Sequence, residues 1–213
     1  MCSLKVAPSK AETALLEPFM GLTLERIYVP TTKTEFSSAT AEIMGAGVVG
    51  FDTESKPTFV TGEVSEGPHV VQFALPDKAF IFQLHQADCC PFVIGLLESE
   101  ALLKVGFGLK SDGAQIRAKL GADLKALLDL NHLFNRDGYH NSMGVRAAVG
   151  MVLKQKFPKS KKITTSNWAQ PQLNSQQLLY AANDAYAALR VLQALNRPYE
   201  DLPITGLTVR SNY

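Results

Sequence analysis

The run Val48-Val49-Gly50-Phe51-Asp52-Thr53-Glu54 decides the fold: an apolar stretch of strand character ends on two carboxylates one residue apart. Side chains alternate along a strand, so Asp52 and Glu54 leave the same face. Such a pair can hold a hard divalent cation, although one Asp-x-Glu is about what chance supplies in a chain of ordinary acidic content. The missing ligands must come from elsewhere in the 213 residues.

Residues 24–29 read as a first strand, 35–44 as a helix and 48–52 as a central strand. Alternating runs at 69–75 and 79–84 follow, joined into a hairpin by Pro76-Asp77-Lys78. The period then switches between helices over 91–99 and 112–120 and strands over 102–107 and 126–130. This order predicts an α/β fold, a mixed β-sheet flanked by α-helices in a single domain. After Asn131 the pattern is helical over 142–153 and again over 175–195, where Asn174 and Gln177 make a capping-box pair. On that last helix Leu178, Ala181, Ala182, Ala185, Leu189, Leu192 and Leu195 mark the core stripe, while Tyr180 and Asp184 lie one turn apart on another side. Residues 55–68, with proline, glycine and mixed charge, read as an irregular, mobile loop beside Glu54.

A formal net charge of +1 argues against coating of nucleic acid by bulk electrostatics. The charge is uneven, however: residues 138–183 contain no Asp or Glu, whereas Arg146, Lys154, Lys156, Lys159, Lys161 and Lys162 are basic. The densest part, 154–162, shows neither helical nor strand period and reads as a loop. Cys2, Cys89 and Cys90 suit neither a disulfide framework nor a zinc site and are expected to be reduced. There is no apolar run of about 18 residues. Lys5, Lys10, Glu12 and Glu17 stand where a signal peptide needs its apolar centre, so an intracellular protein (cytoplasm, nucleoid or nucleus) without membrane attachment is expected.

Two further acids fall where secondary structure can bring them to the first pair. Asp112 follows the apolar run 103–107 at the opening of a helix, and Asp184 sits in the last helix. Each has a plainer role open to it, Asp112 as a helix cap and Asp184 as a surface acid. Together the four suit two divalent cations about 3.5–4 Å apart, which stabilise the attacking and leaving oxygens of a phosphodiester displacement. Magnesium accepts carboxylate oxygens, keeps several waters and binds phosphate.

The order Asp-x-Glu, then Asp after a strand, then Tyr-x-x-x-Asp on a late helix resembles the DEDD superfamily of 3'-5' exonucleases, in its tyrosine-containing subclass. The likeness covers nearly the whole chain and is carried by Gly50-Phe-Asp-Thr-Glu54, Val105-Gly-Phe-Gly-Leu-Lys-Ser-Asp112, Ser166-Asn-Trp168 and Leu179-Tyr-Ala-Ala-Asn-Asp-Ala-Tyr186. It is greatest to Werner-type exonuclease domains and more distant to ribonuclease D. The histidine subclass would need His at position 179, which is Leu.

The resemblance implies a ribonuclease H-like fold, with an N-terminal extension over 1–22, an exonuclease domain over 23–197 and a tail over 198–213. It implies two divalent cations, Mg2+ or Mn2+: Asp52, Glu54 and Asp184 bind the one that carries the nucleophilic water, and Asp52 with Asp112 holds the second. Tyr180 is expected to hydrogen-bond that water, since a phenol with an ordinary pKa of about 10 is a poor base at neutral pH. The implied partner is a nucleic acid with a free 3' end, and the products are nucleoside 5'-monophosphates. Lys159, Lys161 and Lys162, with Trp168 as apolar surface, are expected to contact the strand, as are Lys56 and Phe107 beside the carboxylates. The chain reads as a stand-alone nuclease without the helical domains of ribonuclease D, which favours DNA over RNA. It departs from the pattern at Ser55-Lys56-Pro57, where Werner-type domains have tryptophan and ribonuclease D has phenylalanine.

Rival readings remain. Ribonuclease D-like trimming of RNA 3' ends keeps the chemistry and changes the strand. A catalytically silent nucleic-acid-binding module would need a lost carboxylate, and all four are present. Gly106-Phe-Gly108-Leu-Lys-Ser111 follows a strand, opens a helix and has Asp129 about twenty residues on, as a dinucleotide-binding loop does, although Ser111 replaces the third glycine.

Overall fold

A carboxylate-bearing strand lies at the centre of the sheet. In the computed structural model, which describes residues 5–58, 62, 65–139 and 143–207, the elements run α1 (Lys10–Ala14), β1 (Glu17–Pro18), β2 (Ile27–Tyr28), α2 (Lys33–Ala46), β3 (Val48–Glu54), β4 (Val70–Ala74), β5 (Ala79–Gln83), α3 (Cys90–Glu98), β6 (Leu103–Gly106), α4 (Leu109–Leu120), β7 (Leu127–Asp129), α5 (Leu130–Arg136), α6 (Val145–Ala148), β8 (Gln155–Lys156), α7 (Lys161–Thr164) and α8 (Ser175–Leu195). Six strands form one sheet in the order β2-β5-β4-β3-β6-β7. β3, β4 and β5 are antiparallel neighbours, whereas β6 and β7 continue parallel to β3. This is the expected mixed sheet with helices on its faces.

Register places the site. β6 pairs only with Val48, Val49 and Gly50, so Asp52 and Glu54 project past their parallel neighbour and are paired on the β4 side alone, opposite Gln72 and Val70. The open crevice beyond the carboxyl ends of parallel strands is where α/β sheets bind ligands.

Alternation along the strands divides the core between the two faces of the sheet. Val49, Phe51, Val71, Phe73 and Phe82 pack against Phe36 and Ile43 of α2 and Val93, Leu96 and Leu97 of α3. Each of these large apolar side chains contributes roughly 1.5–3 kcal/mol on burial. On the opposite face Val70, Ala74, Ala79 and Ile81 lie under Ala181, Ala182 and Ala185 of α8. That helix starts on the expected capping box, with Asn174 and Gln177 each accepting the other's backbone N–H. The small residues let it sit directly on the strand: a Cβ at Gly50 would lie 1.9 Å from the carbonyl oxygen of Ala185.

Several expectations are corrected. The first strand is confined to Ile27–Tyr28, because Leu24–Arg26 closes into a 3-10 turn at the sheet edge. The helix expected over 142–153 begins outside the described residues at Ser142. Its visible part is one α-turn, Val145–Ala148, widening to a π-turn over Val149–Leu153 that ends at left-handed Lys154. There Gly150 abuts Thr13 of α1, 2.4 Å from where a Cβ would stand. The basic stretch 154–162 is more ordered than a loop, since β8 pairs in parallel with β1 and α7 starts at Lys161. Residues 9–22, largely exposed, are anchored at a few points: the Phe19 ring lies tilted 5.3 Å from that of Phe157, and the Leu22 N–H donates to Asn183 Oδ1 at 2.6 Å. Of the loop 55–68, residues 59–61, 63 and 64 lie outside the described residues.

Gly50→Ala is expected to destabilise the protein by about 2–4 kcal/mol, because the clash is with backbone and the helix must move. Gly45→Ala, on the open side of α2 with nothing within 4 Å, should stabilise by about 0.5–1 kcal/mol. Urea unfolding of both variants checks the pair, and equal midpoints would contradict the packing argument.

Candidate active site

Asp52 and Glu54 alternate onto one face at the end of β3, and α8 brings Asp184 over them. One oxygen from each lies within 4.8 Å of the others. Glu54 and Asp184 are buried, and Asp52 lies in the wall of a cavity of about 190 Å³ shared with Phe51, Phe107, Asn131, Lys159 and Asp184. Asp112 approaches from α4. It stands outside the three-residue group, where its Oδ1 accepts a hydrogen bond from the hydroxyl of Thr53, the residue between the first two acids.

The cluster is short of positive charge. Burial, then the charges of Asp112, Asp184 and Glu54, push Asp52 well above the usual carboxylate range. Burial and then Asp184 do the same to Glu54, and burial raises Asp184 and Asp112. Lys159 opposes the shift at Glu54 and Asp184, and the Thr53 hydroxyl opposes it at Asp112. Asp184 Oδ1 is buried with no protein hydrogen-bond partner. An all-oxygen donor set with an unsatisfied buried oxygen fits a hard divalent cation, which would supply both the missing charge and the missing contact.

Tyr180 lies one helical turn before Asp184 and shares a 2.9 Å hydrogen bond with the Thr164 hydroxyl. Burial and the Asp184 charge drive its hydroxyl well above the ordinary phenol value, so it stays protonated. Trp168 corrects an expectation. Its side chain is 1% exposed and leaves no face for a substrate strand. The indole N–H donates to the Thr164 carbonyl at 3.2 Å and the ring lies 6.1 Å from Tyr180, so Trp168 supports the segment that holds the tyrosine. Gln177, the capping residue of α8, donates to Ser166 Oγ and to the Asn167 carbonyl. The Ser-Asn-Trp motif is thereby folded onto the start of the helix that carries Asp184.

Of the other expected contacts, Phe107 is half-buried in the cavity wall, and the exposed Lys159 lines the same cavity without pairing to a carboxylate among the described residues. Lys161 and Lys162 are exposed on α7, and Lys56 is exposed just past β3. Thr53 and Asn131 were not foreseen. Thr53 stands at the site by its place between two acids, but its bond to Asp112 on α4 comes only with the fold, and an asparagine one residue into a short helix carries no periodic signal.

The crevice, with its acids on a central strand and a covering helix, defines a ribonuclease H-like nuclease domain. The 3'-5' exonuclease family model matches residues 27–200, and the chain belongs to that family. The bifunctional 3'-5' exonuclease/ATP-dependent helicase WRN of Mus musculus is 29% identical over 171 residues, covering 74% of this chain and 12% of that protein. A 3'-5' exonuclease of Arabidopsis thaliana is 28% identical over 161 residues, 75% of this chain and 54% of its own length. The chain thus spans little more than half of these relatives at most. Among solved structures, Trypanosoma brucei RNase D complexed with RNA U12 superposes with a TM-score of 0.72 at 19% identity, covering 84% of this chain and 65% of that one. The Aedes aegypti Nibbler EXO domain gives 0.67 at 22%, covering 81% and 88%. These superpositions show a shared fold. Among the described residues no helix is long and apolar enough to cross a membrane.

The raised acids tie stability to pH. Each binds its proton more tightly folded than unfolded, so its stabilising contribution is complete below about pH 4 and is lost as pH rises through the folded values. Metal-free protein should lose stability toward neutral pH, and Asp184→Asn should raise its melting temperature at pH 7.5 by about 2–6 °C. Scanning fluorimetry in chelator is the check; a lower melting temperature for the variant would refute the charge argument.

Proposed function

We propose that this chain is a metal-dependent 3'-5' exonuclease that hydrolyses the terminal phosphodiester of a nucleic acid and releases nucleoside 5'-monophosphates, with DNA preferred. The observation that carries the reading is the group Asp52, Glu54 and Asp184, oxygens within 4.8 Å and one of them buried without a partner. These three would hold one Mg2+ or Mn2+, and Asp52 with Asp112 a second. When bound, the cations supply Lewis acidity toward water and the phosphate oxygens.

The chain's own residues orient and neutralise. The Tyr180 hydroxyl, kept protonated and tied to Thr164, positions the attacking water and takes no proton from it. Lys159, exposed at the rim of the cavity, offsets charge gathering on the non-bridging oxygens. Phe107 supplies an apolar wall, and Lys56, Lys161 and Lys162 hold flanking phosphates. The preference for DNA draws on the Werner-type resemblance of the motifs. A second reading, trimming of RNA 3' ends, draws on the likeness to Trypanosoma brucei RNase D, which was solved with RNA.

The test uses 5'-labelled single-stranded DNA, duplex DNA with a recessed 3' end, and single-stranded RNA, each with Mg2+, Mn2+ or chelator. Products should shorten from the 3' end only with metal, and Asp52→Ala or Asp184→Ala should fall to the chelator level. Tyr180→Phe should keep a measurable rate, lower by roughly 100-fold. Wild-type turnover by Asp52→Ala would sink the assignment. Neutralising Lys159, Lys161 and Lys162 together should make the salt dependence of binding shallower by about 2 in log–log slope; an unchanged slope would show that these lysines are merely solvated.

A further inference from the structure

Gly106-Phe107-Gly108, with Asp129 beyond it, has the outline of a dinucleotide loop but a different occupant. β6 ends at Gly106, Gly108 turns in the left-handed region (φ 72), and α4 begins at Leu109. The backbone amides there, which in a dinucleotide-binding loop face a pyrophosphate, face the protein's own carboxylate. Gly108 N–H donates to Asp129 Oδ1 and Leu109 N–H to Asp129 Oδ2, both at 3.0 Å. Asn131 N–H donates to Oδ1 as well, at 2.9 Å. One buttressing anion thus caps two helices, α4 and α5, and leaves neither of these α4 amides free for a nucleotide phosphate.

The segments tied together by this carboxylate carry three side chains of the site. Phe107 and Asn131 line the cavity with Asp52 and Asp184. Asp112, in the first turn of α4, is bound to Thr53 on β3. The end of β6 is also wedged against β3, since a Cβ at Gly106 would lie 2.5 Å from the Phe51 carbonyl oxygen. α4 is therefore held at its start by Asp129 and one turn later by Asp112, with little slack between.

We propose that Asp129 is a positioning residue for the exonuclease reaction: it touches no substrate, and by capping α4 and α5 together it sets the placement of Asp112, Phe107 and Asn131 around Asp52. The inference rests on the exonuclease reading above. Three charge-assisted bonds to one carboxylate are strong and directional, and outer partners of this kind tune a metal site through the ligands they orient. Asp129→Asn keeps the size but turns an N–H donor toward an N–H of the loop, so the cap opens on one side.

Two readouts test this. In titrations of free protein with Mn2+, followed by the rise in melting temperature, Asp129→Asn should need about 10-fold more metal than wild type for the same rise. With labelled oligonucleotide, kcat should fall by about 10-fold or more while KM changes less than about two-fold. A merely structural cap would lower the melting temperature and leave the Mn2+ requirement and kcat per folded molecule unchanged, which would overturn the proposal. Gly108→Ala, which strains the left-handed turn but has space around its Cβ, should move both readouts in the same direction and replaces Asp129→Asn if that variant does not fold. Absence of metal-dependent shortening by the wild type would instead remove the exonuclease reading, leaving the altered Mn2+ requirement as the remaining measure of Asp129.

Discussion

The seating of α8 on β3 is the constraint from which the rest of the structure follows. The helix reaches the strand because Gly50 has no side chain and the helix face is alanine, so the Ala185 carbonyl occupies space that any Cβ at position 50 would take. Asp184 and Tyr180 travel with the helix, whereas Asp52 and Glu54 travel with the sheet. A larger residue at the contact would raise one set away from the other, and the site would be lost without any change in its own residues. The alanines bring little apolar area of their own, so the aromatic and aliphatic packing of β3, β4 and β5 against α2 and α3 supplies much of the stabilisation on which this close contact relies.

That packing also offsets a cost at the site. Acids crowded into a half-dry crevice, with Lys159 as the nearby cation, oppose folding until an ion neutralises them. The protein keeps an unsatisfied oxygen at Asp184 where a hydrocarbon would be cheaper. A preformed, underpaired donor set means that little rearrangement would be needed to admit the proposed cation. Tyr180 fits the same logic, because its buried hydroxyl is pinned by Thr164 and the Thr164 segment is in turn pinned by Trp168.

Much of this was legible because it is local. The run 48–54 announces both a strand and its acids, Pro76-Asp77-Lys78 announces the hairpin, and Asn174 with Gln177 announces the start of α8. The illegible parts depend on distant partners. A two-residue strand such as Gln155–Lys156 has no period to detect and exists only because Glu17–Pro18 lies beside it. Trp168 looks like a stacking surface until the fold buries it. The glycine turn before α4 has the same strand-turn-helix form whether it holds a nucleotide or a carboxylate, and only the placement of β7 reveals which.

The clamp formed by β1, Phe19 and Leu22 bears on how the chain reaches its folded state. Met20 bonds to Gln155 across a separation of 135 residues, and Leu22 bonds to Asn183 across 161. During synthesis this segment leaves the ribosome long before its partners exist, and closing loops of that length is entropically slow. The clamp can therefore close only after α8, the last α-helix to be made, has been synthesised.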